Sequence, residues 1–333
     1  MVCFLLAVPL AMFMRCAAAE SQTATRINGV TYLGDLPTVV ADRRGLFESR
    51  NLHATVTYEY SGKRNLELLR AGRTDIALMA LTPLVLDAVA DPDPGQPDDP
   101  VILASLVHST QLNQIVVLPE SGIDEPADLP GRRVGLMKGT NAEFVWWLFA
   151  AYHRFDPFAA TLVDLPVDEL SDALIDGGVD AVVIWEPWTS RLRHAVGGRL
   201  RSFTGSNVYT AKWVVAARRD FVEREPERVR AVLGAYREAI EFIDRDPAAA
   251  MGLYADHDGI PLDALRRIWD ALIYELSLDW SLIATLQQQL DWARRAGYAA
   301  SGTETEVLKM IAPAPLSAVA PAAVSVPGIE GRQ

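Results

Sequence analysis

Short runs of β-branched and aliphatic residues alternate with longer stretches of helical period from Arg26 to about Phe221, the layering expected of an α/β protein. Residues 27–33 read as a strand, and 37–44 as a helix opened by Pro37 and closed by Gly45. Residues 53–60 place Ala54, Val56, Tyr58 and Tyr60 on one face and Thr55, Thr57 and Glu59 on the other, the period of two of a half-buried strand. A helix opening at Ser61-Gly62 carries Leu66, Leu68 and Leu69 and stops at Gly72, and a buried strand follows at 76–80. Thr82 and Pro83 then predict a helix start with a capping hydroxyl and an early proline. The segment 91–100, DPDPGQPDDP, reads as a solvated surface loop, with strands expected at 101–107 and 114–118.

A second series begins after the DLPGRR turn: strand 133–136, helix 141–151, strand 161–165, helix 169–175 and strand 181–185. The two series echo each other. Gly72-Arg73-Thr74-Asp75 before IALMA matches Gly177-Gly178-Val179-Asp180 before AVVIW, and a proline, Pro83 or Pro187, soon follows each. Two similar lobes in one chain is the simplest account. From Pro226 onward the pattern is helical, at 226–244, 247–255, 261–276 and 281–296. The Ala/Pro-rich segment 309–333 holds too little large apolar content to fold and is expected to be disordered.

With 333 residues, 50% of them hydrophobic, the chain has ample material for a core, and its length favours two lobes. Its formal charge of −12 argues against nucleic acid as a partner, because phosphate binding needs a basic stripe. Residues 2–14 are nearly all apolar yet too short to span a bilayer, and Ala17-Ala18-Ala19 supplies a small-residue cleavage pattern. Residues 1–19 are therefore expected to be an export signal, although Arg15 and the lack of a leading positive charge are irregular for one. Met14-Arg15 before Cys16 do not fit a lipid-anchored cysteine. Cys3 and Cys16 both lie in this segment, so the exported chain would hold no thiol and no disulfide.

The chain has no G-x-S-x-G, H-E-x-x-H, phosphate-loop or G-x-G-x-x-G motif. His53, His108, His153, His194 and His257 are scattered without ligand spacing, so the sequence points to no metal and no cofactor. What remains is a set of strand-to-helix junctions, where free backbone N–H groups face ligands at the carboxyl ends of strands. They fall at 35–38, Ser61-Gly62, 80–82, 139–141 and Trp185-Glu186. Facing lobes would bring all five to one cleft.

Four of these stretches, LPTVVADRRGLFESRNL, SGKRNLELLRAGRTDIALMALTP, DLPGRRVGLMKGTNAEF and GGVDAVVIWEPW, follow in order between about Arg26 and Gly297. Together they resemble the nitrate/sulfonate/taurine-type substrate-binding proteins of ABC importers. The resemblance implies a type II periplasmic-binding clamp, each lobe a sheet flanked by helices, with a helical C-terminal part. Lobe one would comprise 20–113 plus 215–300 and lobe two 114–214, with crossing strands near 113–118 and 207–214 as hinge. Carried over by position, Ser61, Gly62, Leu81 and Thr82 would line the first lobe. Gly139, Thr140 and Asn141 would form the second lobe's anion-binding helix start, and Trp185 and Glu186 would look into the cleft. Asp35, His108 and Asn207 complete the implied ligand-binding set.

Each residue has a plainer alternative: an N-cap for Thr82 and Thr140, a core aromatic for Trp185, a solvated or capping carboxylate for Glu186. Lys63, Arg64 and Lys138 favour an anionic ligand, whereas Asp35 and Glu186 oppose one. Sulfonate, taurine, nitrate, bicarbonate, a pyrimidine and an aromatic held by Trp185 and Tyr32 all stay open. The resemblance implies a monomeric, non-catalytic protein that captures a small-molecule ligand and passes it to ABC transporter permease subunits. The alternatives are an enzyme of the same fold, of thiamine-pyrimidine or menaquinone type, or a ligand-sensing input protein. Lack of cysteine in the exported chain argues against the first enzyme, and an export signal against the second.

Overall fold

The structure, a computed structural model, describes residues 24–91, 95–204, 209–298 and 305–326. The expected export signal, both cysteines and Asn207 lie outside the described residues. In chain order the first series runs β1 Thr25–Val30, α1 Leu36–Arg43, β2 Ala54–Glu59, α2 Gly62–Arg70, β3 Ile76–Ala80, α3 Leu81–Ala90 and β4 Pro100–Ser109. The second runs β5 Asn113–Val117, β6 Arg133–Leu136, α4 Asn141–Tyr152, β7 Thr161–Asp164, α5 Leu170–Ile175, β8 Ala181–Trp185, α6 Trp188–Ala195 and β9 Arg201–Thr204. The chain then continues with β10 Ala211–Arg218, α7 Arg219–Arg224, α8 Pro226–Arg245, α9 Pro247–Asp258, α10 Leu262–Ile268, β11 Leu272–Ser277, α11 Trp280–Arg295 and α12 Ala314–Val319.

Among the described residues the strands form two sheets, ordered β11-β4-β10-β3-β1-β2 and β7-β6-β8-β5-β9. In each, a central strand (β1 or β6) pairs in parallel with two neighbours, and an antiparallel strand (β10 or β5) adds to the third member. The sequence echo has a physical cause. Asp75, just before β3, accepts from the Arg26 backbone N–H at 2.9 Å and from its guanidinium at 2.6 Å. Asp180, just before β8, accepts from the Arg133 backbone N–H at 2.8 Å and from its guanidinium at 2.7 Å. The repeated aspartate thus clamps each third strand to the start of its parallel neighbour, a charge-assisted fork made twice.

The chain leaves the first sheet at the end of β4, enters the second at β5, and returns from β9 to β10. The whole of β10, from Ala211 to Arg218, pairs in the first sheet, so a lobe boundary at 214 would cut through a strand. Two further expectations are overturned. Residues 261–276 do not form one helix: α10 ends at Ile268, and β11 pairs antiparallel with β4 at the sheet edge. Its burial alternates, with Leu272 and Tyr274 inward and Ile273 and Glu275 outward. The expected disordered tail is folded over its described part, where Leu316 is fully buried and Ile311 bridges to Ile102. In the expected surface loop, residues 95–98 are exposed, and buried Asp99 ties it down by accepting from the Gly95 and Gln96 N–H groups and from Arg70.

Candidate functional site

Helix starts meet between the two sheets. On the first side, α2 begins at the end of β2, with Ser61 as N-cap accepting from the Arg64 N–H at 3.3 Å. Buried Asn65 fixes this helix by donating to the carbonyls of Asn28, Gly29 and Leu78 at 2.8, 3.1 and 2.9 Å. Gly62 is required by closeness: a Cβ there would lie 2.6 Å from Met79 Cβ and 2.9 Å from its Cα. On the second side, Thr140 caps α4, accepting from the Ala142 N–H at 3.3 Å and donating to the Met137 carbonyl at 2.7 Å. A helix start leaves its leading N–H groups without intrahelical acceptors and carries the positive end of the helix dipole.

These ends border a narrow pocket of about 30 Å³ lined by Ser61, Gly62 and Lys63, by Ala80 and Pro83 at the start of α3, and by Thr140 and Asn141. Val30, Tyr32, Asn113, Trp185, Ala211, Lys212 and Trp213 complete its wall. Trp213 and Tyr32 pack at 4.5 Å between ring centroids, and Trp185, at the end of β8, lies opposite Asn113 in register. Nonpolar ring faces therefore stand beside a polar, positive end. A wider, open groove between residues 49–52 and α8 lacks this arrangement, and its Arg50, Arg230 and Arg237 are paired with Glu238, Glu227 and Glu241.

Charge on the lining is one-sided, with two lysines and no carboxylate among the described residues. The Lys212 ammonium lies 3.7 Å from Asp279, and burial pulls its pKa down against the pull of that carboxylate. Lys63 Nζ donates to the Lys138 carbonyl at 3.0 Å, from the first side of the cleft to the second. Other contacts also cross. Thr82 donates to Gln289 Oε1 at 2.8 Å, Gln289 Nε2 donates to the Tyr209 hydroxyl at 3.0 Å, and Tyr209 donates to Asn141 Oδ1 at 2.7 Å. Arg191 of α6 donates to the Asp258 carboxylate at 3.1 Å and to its carbonyl at 3.2 Å. The two sides are shut against each other.

Of the residues expected at a cleft, Ser61, Gly62, Thr140, Asn141 and Trp185 come together in the lining. The others among the described residues do not. Asp35 is fully buried behind the pocket, its oxygens accepting from the Val30 N–H at 2.7 Å and the Thr38 hydroxyl at 2.5 Å. The Trp213 indole N–H is turned toward the same carboxylate but falls outside hydrogen-bond geometry. Burial pushes the Asp35 pKa up to about 7, against the lowering effect of these donors. Thr82 serves the crossing network rather than the helix cap, since Ala80 is the N-cap of α3, and Leu81 is packed in the core. Glu186 is buried and accepts from the Ser190 N–H at 3.1 Å; burial raises its pKa. Gly139 stands at the edge, with φ +76 beside Lys63. His108 lines a separate recess with Lys212 and Ser281, and burial lowers its pKa.

The two carboxylates that counted against an anion are thus turned away. Sequence reasoning missed Trp213, Asn113 and the network partners Tyr209 and Gln289. Trp213 carries one signal, a lone indole in the apolar run AKWVVAA, whereas Gln289 looks like any polar helix residue.

The chain is similar over 255 residues, at 24% identity, to a provisionally named binding protein of Brucella abortus, covering 75% of this chain and 76% of that one. It is also 24% identical over 224 residues to a provisionally named aliphatic sulfonates-binding protein of Bacillus subtilis, covering 66% of each. Among solved structures, the alkanesulfonate-binding protein of Xanthomonas axonopodis pv. citri bound to MOPS superposes with a TM-score of 0.76 at 22% identity, over 87% of this chain and 98% of that one. The periplasmic nitrate-binding protein of Synechocystis PCC 6803 gives 0.71 at 16% identity, over 90% and 89%. The fold is not confined to binding proteins: the desulfurization enzyme DSZB gives 0.62 at 15% identity, over 90% and 99%. These structural likenesses establish the periplasmic-binding-protein fold. Residues 35–250 match the NMT1/THI5-like family, and the chain belongs to it.

Proposed function

We propose that the protein is an extracytoplasmic solute-binding protein that closes on a small organic anion, with an alkyl or aryl sulfonate as the leading class, and delivers it to an ABC importer. The observation that carries this is the lining itself. Two capped helix starts and an unmatched lysine face a cleft with no lining carboxylate among the described residues, beside the rings of Tyr32, Trp185 and Trp213. An oxyanion head suits the N–H groups and the ammonium, and a carbon tail suits the rings. Nitrate would leave those rings without a partner. No described helix is long and apolar enough to cross a membrane.

The test is calorimetric titration and a thermal-shift screen of the purified protein with pentanesulfonate, taurine, nitrate, bicarbonate and aromatic acids. A ligand at a hundred times its Kd stabilises the fold by about 2.7 kcal/mol. Saturable pentanesulfonate binding with a smaller radius of gyration supports the reading. A preference for nitrate or bicarbonate, or consumption of the bound compound, would overturn it. Trp185→Ala and Thr140→Ala should each weaken binding while leaving the protein folded.

A further inference from the structure

We propose that Lys63 makes this cleft select a singly charged anion and couples that charge to closure; the inference rests on the solute-binding reading above. The lining holds two ammonium groups and no carboxylate among the described residues. Lys212 is balanced by Asp279 at 3.7 Å, and its side chain is only 2% exposed. Lys63 forms no ion pair among the described residues: its Nζ donates to the Lys138 carbonyl, a dipole without net charge. Glu143 and Asp164, outside the lining, accept from the Gly139 and Lys138 N–H groups, so the lining itself carries about one positive charge that no lining carboxylate matches.

That count sets the ligand. Lys63 is half-buried, so a neutral molecule covers more of its ammonium without bringing a counter-charge, and covering an unpaired charge is costly. A dianion brings a second charge that nothing in the lining offsets. One negative charge balances the site. An ammonium has three donors, so after the Lys138 carbonyl takes one, the others remain for the ligand.

The same ammonium reports closure. Lys63 sits in the first turn of α2, on the first sheet's side, and Lys138 in the loop entering α4, on the other. Their hydrogen bond exists only when the two sides are together. Gly139 makes room for it: a Cβ there would lie 3.3 Å from Lys63 Nζ and 3.4 Å from both Cδ and Cε. An anion that holds the Lys63 side chain inward thus favours the shut state through its differential affinity.

Calorimetry at pH 8 with three five-carbon probes tests this: pentanesulfonate as monoanion, pentyl phosphate as dianion and pentanesulfonamide as neutral analogue. The wild type is expected to bind pentanesulfonate at least about tenfold more tightly than either other probe. Lys63→Met should lose sulfonate affinity by roughly tenfold to a hundredfold, the range for a charged hydrogen bond, and bind the sulfonamide no more weakly than the wild type does. Lys63→Arg should keep the order of preference. Gly139→Ala, which keeps the charge but crowds the bridge, should retain the preference and show less compaction by X-ray scattering at saturating sulfonate. Unchanged sulfonate affinity in Lys63→Met, or an equal loss for sulfonate and sulfonamide, overturns the inference and leaves the binding reading intact. A wild type that binds none of the three overturns both.

Discussion

Replacing Asp35 with Asn should make the protein more stable at neutral and alkaline pH and leave it nearly unchanged in acid. The carboxyl is fully buried and forms no ion pair among the described residues; its partners are the Val30 N–H and the Thr38 hydroxyl. Burial raises its pKa from 3.8 to about 7 in the folded protein. For an acid this direction means the native state keeps a proton that the unfolded chain has released. The group's contribution is fully favourable below about pH 4 and is lost as pH rises toward 7. A shift of about three pH units at 1.36 kcal/mol each amounts to about 4 kcal/mol, an order-of-magnitude figure. Asparagine imitates the protonated acid, since its oxygen can accept from Val30 while its amide donates to Thr38 Oγ1. That hydroxyl can in turn donate to Tyr236, 3.2 Å away. Urea unfolding of both proteins at half-unit steps from pH 4.5 to 8.5 reads the difference directly. Other titrating groups, Glu186 and Asp258 among them, are common to both proteins and cancel in it. The two profiles should diverge through pH 5–7 in favour of the variant. Parallel profiles would refute the burial argument, and a variant that is weaker at every pH would show that Asn cannot replace the hydrogen bonds.

Two further changes bear on the cleft. Gly62→Ala drives a Cβ to within 2.9 Å of Met79 Cα, a backbone contact that cannot swing aside. It should cost about 1–3 kcal/mol and weaken sulfonate binding by displacing the α2 start, measured by urea midpoints and calorimetry; wild-type values in both would show that the helix has slack. Tyr209→Phe removes the donor to Asn141 and the acceptor of the buried Gln289 amide. A loss of about 1–3 kcal/mol is expected, seen as a lower Tm and a weaker closing response in scattering, and unchanged closure would remove the network from the clamp.

Most of the fold was legible because its elements obey local rules. The strands 76–80, 133–136 and 181–185 have the residues expected of them, and the repeated aspartate marks a contact made twice. Where reading failed, a distant surface decided. Leu262, Leu265, Trp269, Leu272 and Leu276 keep a helical spacing, yet Leu272–Ser277 found the open edge of β4 and took the period of two that its alternating side chains also allow. The last segment was misjudged because composition counts side chains and not backbone. Its chain is held by Ala312 N–H to the Ile102 carbonyl at 2.9 Å, Leu278 N–H to the Ala323 carbonyl at 2.8 Å and Ser325 N–H to the Leu278 carbonyl at 2.9 Å. A nearly folded body offers such acceptors to a weakly apolar chain, which could not fold alone.

The cleft shows the same division more sharply. Ser61 and Thr82 look alike in sequence, each a hydroxyl residue at a helix start after a strand. Ser61 caps its helix and lines the pocket, whereas Thr82 turns to Gln289, a residue 207 positions away that nothing nearby could announce. Asp35 and Glu186 likewise stand at junctions that fold-level reasoning assigns to ligand, yet Asp35 accepts from the Val30 N–H and the Thr38 hydroxyl, and Glu186 from the Ser190 N–H. Junction position therefore finds the site, but the direction of a side chain depends on which partner it meets first. That direction changes the chemistry inferred. With those two carboxylates withdrawn, the balance of charge at the pocket changes sign, from ambiguous to positive, and an anion becomes the ligand the residues are arranged to hold.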